Sequence, residues 1–419
     1  MDRFRVTGRV RLAGSIPISG AKNAALPSLC ACLLTGEKLQ IENVPPVRDV
    51  RTTLRLLQYI GVDVEETAEG SVLLKAAGLE KPEAPYDLVK TMRASVLVLG
   101  PLLARTGRAR VSLPGGCTIG ARPIDFHIEA LRRMGARIEV EHGYVTAKSS
   151  RLRGVEYHFP GRSVTGTENL LMAATLAAGT TVLHNCATEP EVADLARLLR
   201  AMGAKIEGAG TTTIHVEGVD ALHSAAHRII PDRIEAGTFL VAAALTGGDV
   251  TLRECAPEHL GTVLDLLERC GQGIEKNDGE IRIIGKVPPA PVDMATGPYP
   301  EFPTDLQAQF MVLMTQATGT SVIRETIFEN RFQHAAELRR MGASISLSGR
   351  NATVKGASRL SGACLMATDL RASACLVLAG LVAEGETIID RVYHVDRGYV
   401  RIEEKLRKLG ARLERIQGS

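Results

Sequence analysis

Six times along the chain, an amphipathic stretch of helical period ends at a glycine and gives way to alternating apolar and polar residues. The copies read LLQYIGVDVE to Glu65, LRRMGARIEV to Val140, LLRAMGAKIE to Glu207, LLERCGQGIE to Glu275, LRRMGASISL to Leu347 and KLRKLGARLE to Glu414. Their glycines, Gly61, Gly135, Gly203, Gly271, Gly342 and Gly410, are spaced 68 to 74 residues apart. A glycine just past a helix favours the left-handed cap, and the alternation that follows predicts a strand. Before each copy, an apolar helix rich in Ala and Leu ends at a second glycine, at Gly36, Gly107, Gly179, Gly247, Gly319 and Gly385, and a short strand follows. One unit therefore reads helix, strand, loop, helix, strand, strand, and a steady period of this kind predicts a repeat architecture.

Five units end in a further strand: VLLKAAG, YVTAKS, TIHVEG, IRIIG and ATVKG. The sixth stops at Ile416 without one, and Phe4-Arg5-Val6-Thr7-Gly8 supplies a matching segment. The pattern predicts two α/β domains of three units each. One spans 22–229. The other joins 1–21 to 230–419 and is completed by the N-terminal strand. The chain crosses from one to the other near Gly20 and near Ile230.

A length of 419 residues supports two cores rather than one. Lys+Arg 50 against Asp+Glu 47 is too balanced for a nucleic-acid binder, and 8 Phe, 7 Tyr and no Trp make base-stacking surfaces improbable on composition. Met1 to Val6 has no apolar run of the signal-peptide kind, and the apolar stretch Val96 to Ala104 is too short to span a bilayer, so a cytoplasmic protein with no membrane insertion is expected. The eight cysteines form no C-x-x-C pair and have no zinc-like histidine spacing. No metal and no cofactor are expected, and most thiols should be small buried hydrophobes.

Alignment of the units exposes positions that differ. Fourteen residues before each turn glycine stand Lys22, Arg93, Thr165, Arg233, Asp305 and Arg371, all at the start of the apolar helix. Ser19, Thr91, Ser163, Asp232, Thr304 and Thr368 lie just before them and are expected to cap. A helix start attracts anions, so basic side chains there oppose the dipole, and four of them in equivalent places call for an anionic ligand. Thirteen residues before each marker glycine stand Arg48, Arg122, Pro190, Glu258, Glu329 and Arg397, expected in loops, with Arg331 close by. Together these predict a strongly positive cleft that holds an anionic substrate between the domains, through arginine forks suited to phosphate and carboxylate. The loop of the second unit, PGGCTIGARP from Pro114 to Pro123, is the longest of its kind. Its glycines suit a lid, and Cys117, close to Arg122, is expected to be a reactive thiol; the other seven cysteines read as structural.

SGAKNAALP at Ser19 to Pro27, PYDLVKTMRAS at Pro85 to Ser95, PGGCTIGARP, FPTDLQAQF at Phe302 to Phe310 and ATDLRAS at Ala367 to Ser373 closely resemble the UDP-N-acetylglucosamine 1-carboxyvinyltransferases, of the EPSP synthase superfamily. The resemblance runs from residue 1 to about 417. It implies two inside-out α/β barrels of three units each. It also implies transfer of the enolpyruvyl group of phosphoenolpyruvate to the 3-hydroxyl of UDP-N-acetylglucosamine, with release of phosphate, the first committed step of peptidoglycan synthesis. By resemblance, Lys22 and Asn23 contact phosphoenolpyruvate, and Arg122 and Arg397 hold its charges. Arg93, Arg331 and Arg371 neutralise the substrates. Asp305 takes the proton of the 3-hydroxyl, and Cys117 gives one to the methylene carbon and is able to form a covalent adduct. Arg122, Pro123, Ile124, Asp125 and Phe126 match the UDP-sugar segment, which Ser163, Val164, Thr165, Gly166 and Ile327 extend. The SVTG at Ser163 to Gly166 departs from the family's usual SVGA. The shikimate-pathway enolpyruvyl transferase is the alternative enzyme, and PGGCTIGARP speaks against it. A non-catalytic sensor and an RNA-binding repeat protein are the alternatives of other classes.

Overall fold

The computed structural model describes residues 2–67, 70–90, 92–113 and 124–418, with Arg93 described by its backbone alone. Two compact units emerge. One is built from residues 20–113 and 124–230, the other from 2–19 and 231–418.

Each unit contains three four-stranded sheets of one design: a short parallel strand, a central strand, and two further strands in antiparallel order. In the first unit these are 225–228, 38–42, 72–75 and 63–66; then 83–84, 108–112, 144–148 and 137–141; then 156–158, 180–184, 213–217 and 205–207. In the second they are 13–17, 249–253, 280–284 and 273–277; then 294–295, 320–324, 351–355 and 344–348; then 364–366, 386–390, 3–7 and 412–416. The N-terminal strand Arg3–Thr7 lies in the last of these, with Phe4 opposite Ile389 on one side and Arg415 on the other. Its alternation places Phe4 and Val6 wholly inside and Arg3 and Arg5 in solvent.

The apolar helices sit inside and the sheets outside. Helix Gln307–Thr315 is buried at every position, and Arg233–Thr246 and Leu370–Val382 are buried along nearly their whole length. These three pack on one another. In the first unit, Lys22–Cys30 packs on the 3-10 turn Arg93–Val98, and Leu99–Thr106 packs on Val164–Ala174. A helix that is apolar all round has no face to offer water, so it must be enclosed. The second helix of each repeat, such as Arg48–Ile60, is amphipathic and covers the core with one side only.

The six marker glycines all adopt positive φ, from 87° at Gly271 to 112° at Gly61. Each sits in the same cap. The amide after the glycine donates back to a leucine carbonyl in the helix, Val62 to Leu57, Ala136 to Leu131, Ala204 to Leu199, Gln272 to Leu267, Ala343 to Leu338 and Ala411 to Leu406. The same two-residue event ends the helix and aims the following strand.

Several local expectations need correction. Ser163 and Asp232 do cap their helices, through bonds from Gly166 and from Ile234 and Glu235. Asp369 rather than Thr368 caps Leu370–Val382, because its carboxylate reaches the amides of Arg371 and Ala372. Thr304 donates to Glu325 and Ser19 accepts from Lys405, so neither caps, and Thr91 lies outside the described residues. Arg48 and Pro190 open the second helix of their repeats instead of lying in the loop before it. Cys30, Cys32, Cys186, Cys255, Cys270 and Cys375 are buried, whereas Cys364 stands exposed on strand Cys364–Met366. No described helix is long and apolar enough to cross a membrane.

Replacing Gly271 by Ala tests the cap cleanly. A Cβ there meets nothing within 4 Å, so its cost is the left-handed backbone alone. Urea unfolding should show a loss of about 1–2 kcal/mol with turnover per folded molecule unchanged; an unaltered midpoint would contradict the cap argument.

Candidate active site

In the first unit, Lys22 is the opening residue of helix Lys22–Cys30 and is buried. Its Nζ lies 3.4 Å from Asp49 Oδ2, itself buried in the first turn of Arg48–Ile60. Neither charge is left alone out of water, as burial requires. Asn23 follows, half-buried. Arg93 opens its 3-10 turn, and its side chain lies outside the described residues. Pro114 to Pro123, with Cys117, Arg122 and Pro123, also lie outside them.

The remaining UDP-sugar candidates form two neighbouring segments. Ile124 and Phe126 are half-buried and Asp125 is exposed at the start of helix Asp125–Arg133. The Phe126 ring lies 3.9 Å from where a Cβ on Gly161 would stand, two residues before Ser163. Ser163 accepts from Gly166 at 3.1 Å, and Val164 and Thr165 remain partly exposed on the first turn. Gly166 has no room for a side chain, since a Cβ would fall 2.8 Å from Ser163 Oγ.

The helix carrying Asp125 and Phe126 is fastened from beneath by His127. Its Nδ1 accepts from Asn169 Nδ2 at 2.8 Å, while Asn169 also donates to the Val96 carbonyl and accepts from the Gly100 amide. Burial lowers the His127 pKa to about 4, and a neutral ring is what this bond needs, because a protonated Nδ1 would face another donor.

In the second unit, Asp305 is the centre. It sits in the 3-10 turn Thr304–Leu306. Its Oδ1 accepts from Arg331 Nη2 at 2.8 Å, and its Oδ2 accepts from Arg371 Nε and Nη2 at 3.1 and 3.0 Å. Both arginines are buried, at 5% and 3% exposure, and in each the Nη1 is enclosed with no hydrogen-bond partner among the described residues. Burial works against the charge on Arg371 but is outweighed by the Asp305 carboxylate, with Tyr399 and Asp232 adding to it, so its pKa is held above the usual arginine value. The Arg371 guanidinium also lies 5.3 Å from the centroid of the buried Tyr399 ring, whose hydroxyl bonds Thr238 and Gln309. Arg397 ends the 3-10 turn Val392–Arg397. Gly398 allows this turn to pack against Leu370, because a Cβ there would lie 2.8 Å from the leucine side chain. Ile327 is half-buried, and its neighbour Phe328 lies beneath the Arg331 guanidinium at 5.3 Å.

The structure thus brings Asp305, Arg331 and Arg371 into one cluster, packs the turn that ends at Arg397 against Leu370, and sets Phe126 against Gly161 just before Ser163. Carboxylates that sequence comparison did not flag temper the expected positive face. Asp49 faces Lys22, and the buried Glu168 lies one turn after Thr165. Burial raises the Glu168 carboxyl well above its usual range, with Glu191 and Glu189 adding to the rise. No group of three or more metal-ligating side chains occurs among the described residues. Asp49 could have been found from its place beside Arg48 in the aligned repeats; Tyr399 and Glu168 carried no local signal.

A family profile described as EPSP synthase (3-phosphoshikimate 1-carboxyvinyltransferase) matches residues 6–406. The chain belongs to the EPSP synthase family. Within the family it is similar to the UDP-N-acetylglucosamine 1-carboxyvinyltransferase of Koribacter versatilis (strain Ellin345), 59% identical over 99% of this chain and 97% of that one. It is also similar to the enzyme of the same name from Anaeromyxobacter sp. (strain K), 57% identical over 100% of both. Among solved structures, the enolpyruvyl transferase NikO from Streptomyces tendae superposes with a TM-score of 0.91 at 26% identity, covering 100% of this chain and 99% of that one. EPSP synthase from Acinetobacter baumannii gives 0.77 at 22% identity, covering 100% of both, and shares the fold. The inside-out barrel is therefore the architecture of this EPSP synthase family member.

The His127 contact yields a pH prediction. The folded pKa is depressed, so its contribution to stability is complete above the unfolded value near 6.5 and is lost as pH falls toward 4. Urea unfolding between pH 7 and 4.5 should lose up to about 3 kcal/mol from this residue. His127→Gln should flatten that part of the profile; an equally steep fall in the variant would exclude His127 as its source.

Proposed function

We propose that this EPSP synthase family member transfers the enolpyruvyl group of phosphoenolpyruvate to the 3-hydroxyl of UDP-N-acetylglucosamine and releases phosphate, the first committed step of peptidoglycan synthesis, in the cytoplasm. The names of its 57–59% identical, full-length relatives support the UDP-sugar as acceptor. The single observation in the site that carries the reading is the Asp305 carboxylate between two buried guanidiniums, each with an Nη1 that has no partner among the described residues. Buried donors of this kind suit phosphate or carboxylate oxygens.

The reaction needs a base at the acceptor oxygen and an acid at carbon. Asp305 takes the 3-hydroxyl proton as that oxygen bonds to C2 of phosphoenolpyruvate. The Cys117 thiol gives its proton to C3, which becomes a methyl group. The Cys117 thiolate then takes a proton back from C3 as the C2–O bond to phosphate breaks and phosphate leaves, and the enol ether remains on the sugar. Lys22, Asn23, Arg122 and Arg397 hold phosphoenolpyruvate, with Arg93, Arg331 and Arg371 offsetting substrate charge. Ile124, Asp125, Phe126, the Ser163 to Gly166 turn and Ile327 receive the UDP-sugar. An acidic group at Asp305 that starts out bonded to Arg371 and Arg331 is a weaker base than a solitary carboxylate, so the reading requires the substrate's own charges to draw those arginines away.

Phosphate release assayed with phosphoenolpyruvate should depend on UDP-N-acetylglucosamine. Release with shikimate 3-phosphate alone would favour the other branch of the family. Cys117→Ser should reduce turnover by about 100-fold or more while UDP-sugar binding persists; wild-type turnover in that variant would remove the thiol from the proton-donor role.

A further inference from the structure

We infer that Glu325 is a positioning residue for this reaction, fixing the turn that carries Asp305 relative to the loop that carries Ile327. The inference rests on the assignment of those two residues to the site. Glu325 directly follows strand Thr320–Arg324 and is 1% exposed. Its Oε1 accepts from Thr296 Oγ1 at 3.0 Å and from the amides of Ile327 and Phe328 at 2.9 and 3.0 Å. Its Oε2 accepts from Thr304 Oγ1 at 2.8 Å. Thr304 is the immediate neighbour of Asp305, and Phe328 is the residue under Arg331. Thr326 adds a second tie to Thr296, donating its amide to the hydroxyl at 2.9 Å and its own hydroxyl to the carbonyl at 2.6 Å. One buried carboxylate therefore joins three segments, and two of them bear Asp305 and Ile327, the residues assigned above to the acceptor sugar.

A buried carboxylate costs much unless its lone pairs are filled, and here four neutral donors fill them. An ionised carboxylate only accepts. Every donor around it has its proton direction fixed, the Thr304 hydroxyl included. That proton is committed to Glu325 and is not offered to the adjoining Asp305 carboxylate, which remains with Arg331, Arg371 and the hydroxyl it deprotonates. Glu325 thereby sets both the place of Asp305 and the composition of its hydrogen bonds, without touching substrate. Displacements near 1 Å in such an arrangement reduce rates by about 100-fold.

Steady-state kinetics of five variants test this. Glu325→Ala should lower kcat about 10- to 100-fold and raise KM for UDP-N-acetylglucosamine, with KM for phosphoenolpyruvate much less affected. Glu325→Gln keeps an oxygen for the two amides but presents a donor to Thr304, so it should restore KM for the UDP-sugar while kcat stays reduced. Thr304→Val cuts only the arm to Asp305 and should lower kcat while leaving KM for the UDP-sugar near wild type. Ile323→Ala, in the core of the same strand, provides a destabilised control. The same split of KM and kcat in Ile323→Ala would reduce Glu325 to a structural role and overturn the inference. Wild-type kcat in Thr304→Val would overturn it too, and that result decides the matter if Glu325→Ala does not fold. Asp305→Asn separates the two levels of the argument. If it keeps full turnover, the site assignment fails and the inference with it. If it is inactive while Glu325→Ala and Thr304→Val are unimpaired, the inference alone fails.

Discussion

Enclosure of helices that are apolar on every side governs this chain. A helix such as Gln307–Thr315 has no polar stripe, so sheets must surround it, and the only places it can present chemistry are its ends. Lys22, Arg233, Asp305 and Arg371 all lie within the first turn or just before it. The sheets that do the enclosing keep one face for water, and their alternation leaves no room for buried ionisable groups either. The cations and carboxylates singled out above therefore stand at helix starts and the turns beside them, while the polar side chains inside the helices, such as Asn169, Thr238 and Gln309, are held by internal hydrogen bonds.

That confinement creates an electrostatic problem. Cations at a helix start oppose the dipole, and burial adds its own cost. The chain answers with carboxylates: Asp49 against Lys22, Asp305 against Arg331 and Arg371, and Glu235 against Lys405 at 2.8 Å. The positive character that the repeat alignment suggests is held in ion pairs. Under the proposed reaction, an incoming phosphate or carboxylate would exchange one anionic partner for another instead of neutralising exposed charge. Exchange of that kind makes affinity a difference between two similar interactions, and gives the oxygens of the ligand a geometry already tested on a carboxylate.

The architecture was legible in the sequence because its signals are local. Gly61 and its five equivalents report a backbone angle that other residues resist, and the leucine one turn before each is part of the same cap. The missing strand of the sixth unit was legible by subtraction, and Phe4 and Val6 fill it through simple alternation. The site was legible in part. Aligned repeats picked out Lys22, Asp305 and Arg371 as exceptions to a common pattern, but not what each one bonds. Asp305 finds Arg371 66 residues away and Glu325 finds Thr296 29 residues away, so no window of sequence contains either pair. Choices among neighbouring hydroxyls and carboxylates failed for a similar reason. Thr304 stands where a cap should be, yet its hydroxyl goes to a carboxylate brought from another strand.

The two crossings of the chain show how closely the site depends on the repeat. Strand Ala13–Pro17 is the parallel member of the sheet built on Asp249–Arg253, and the chain then enters the other unit and begins helix Lys22–Cys30. Strand Ala225–Arg228 is the parallel member of the sheet built on Lys38–Glu42, and the chain then returns to begin helix Arg233–Thr246. Both crossings fall at the same point of the repeat, after the parallel strand and before the apolar helix. Equal pieces are exchanged, so every sheet keeps four strands and no edge is left short. The crossing before Lys22 is anchored on its near side: Glu235 accepts from the Ser19 amide at 2.7 Å, and Lys405 bonds both Ser19 Oγ and Glu235. On its far side, Gly20 approaches the Asn43 carbonyl so closely that any Cβ would collide with it, and the Ala21 amide donates to Ile230. Along the chain, Lys22 follows only three residues after Ser19, which is bonded to the Glu235–Lys405 ion pair.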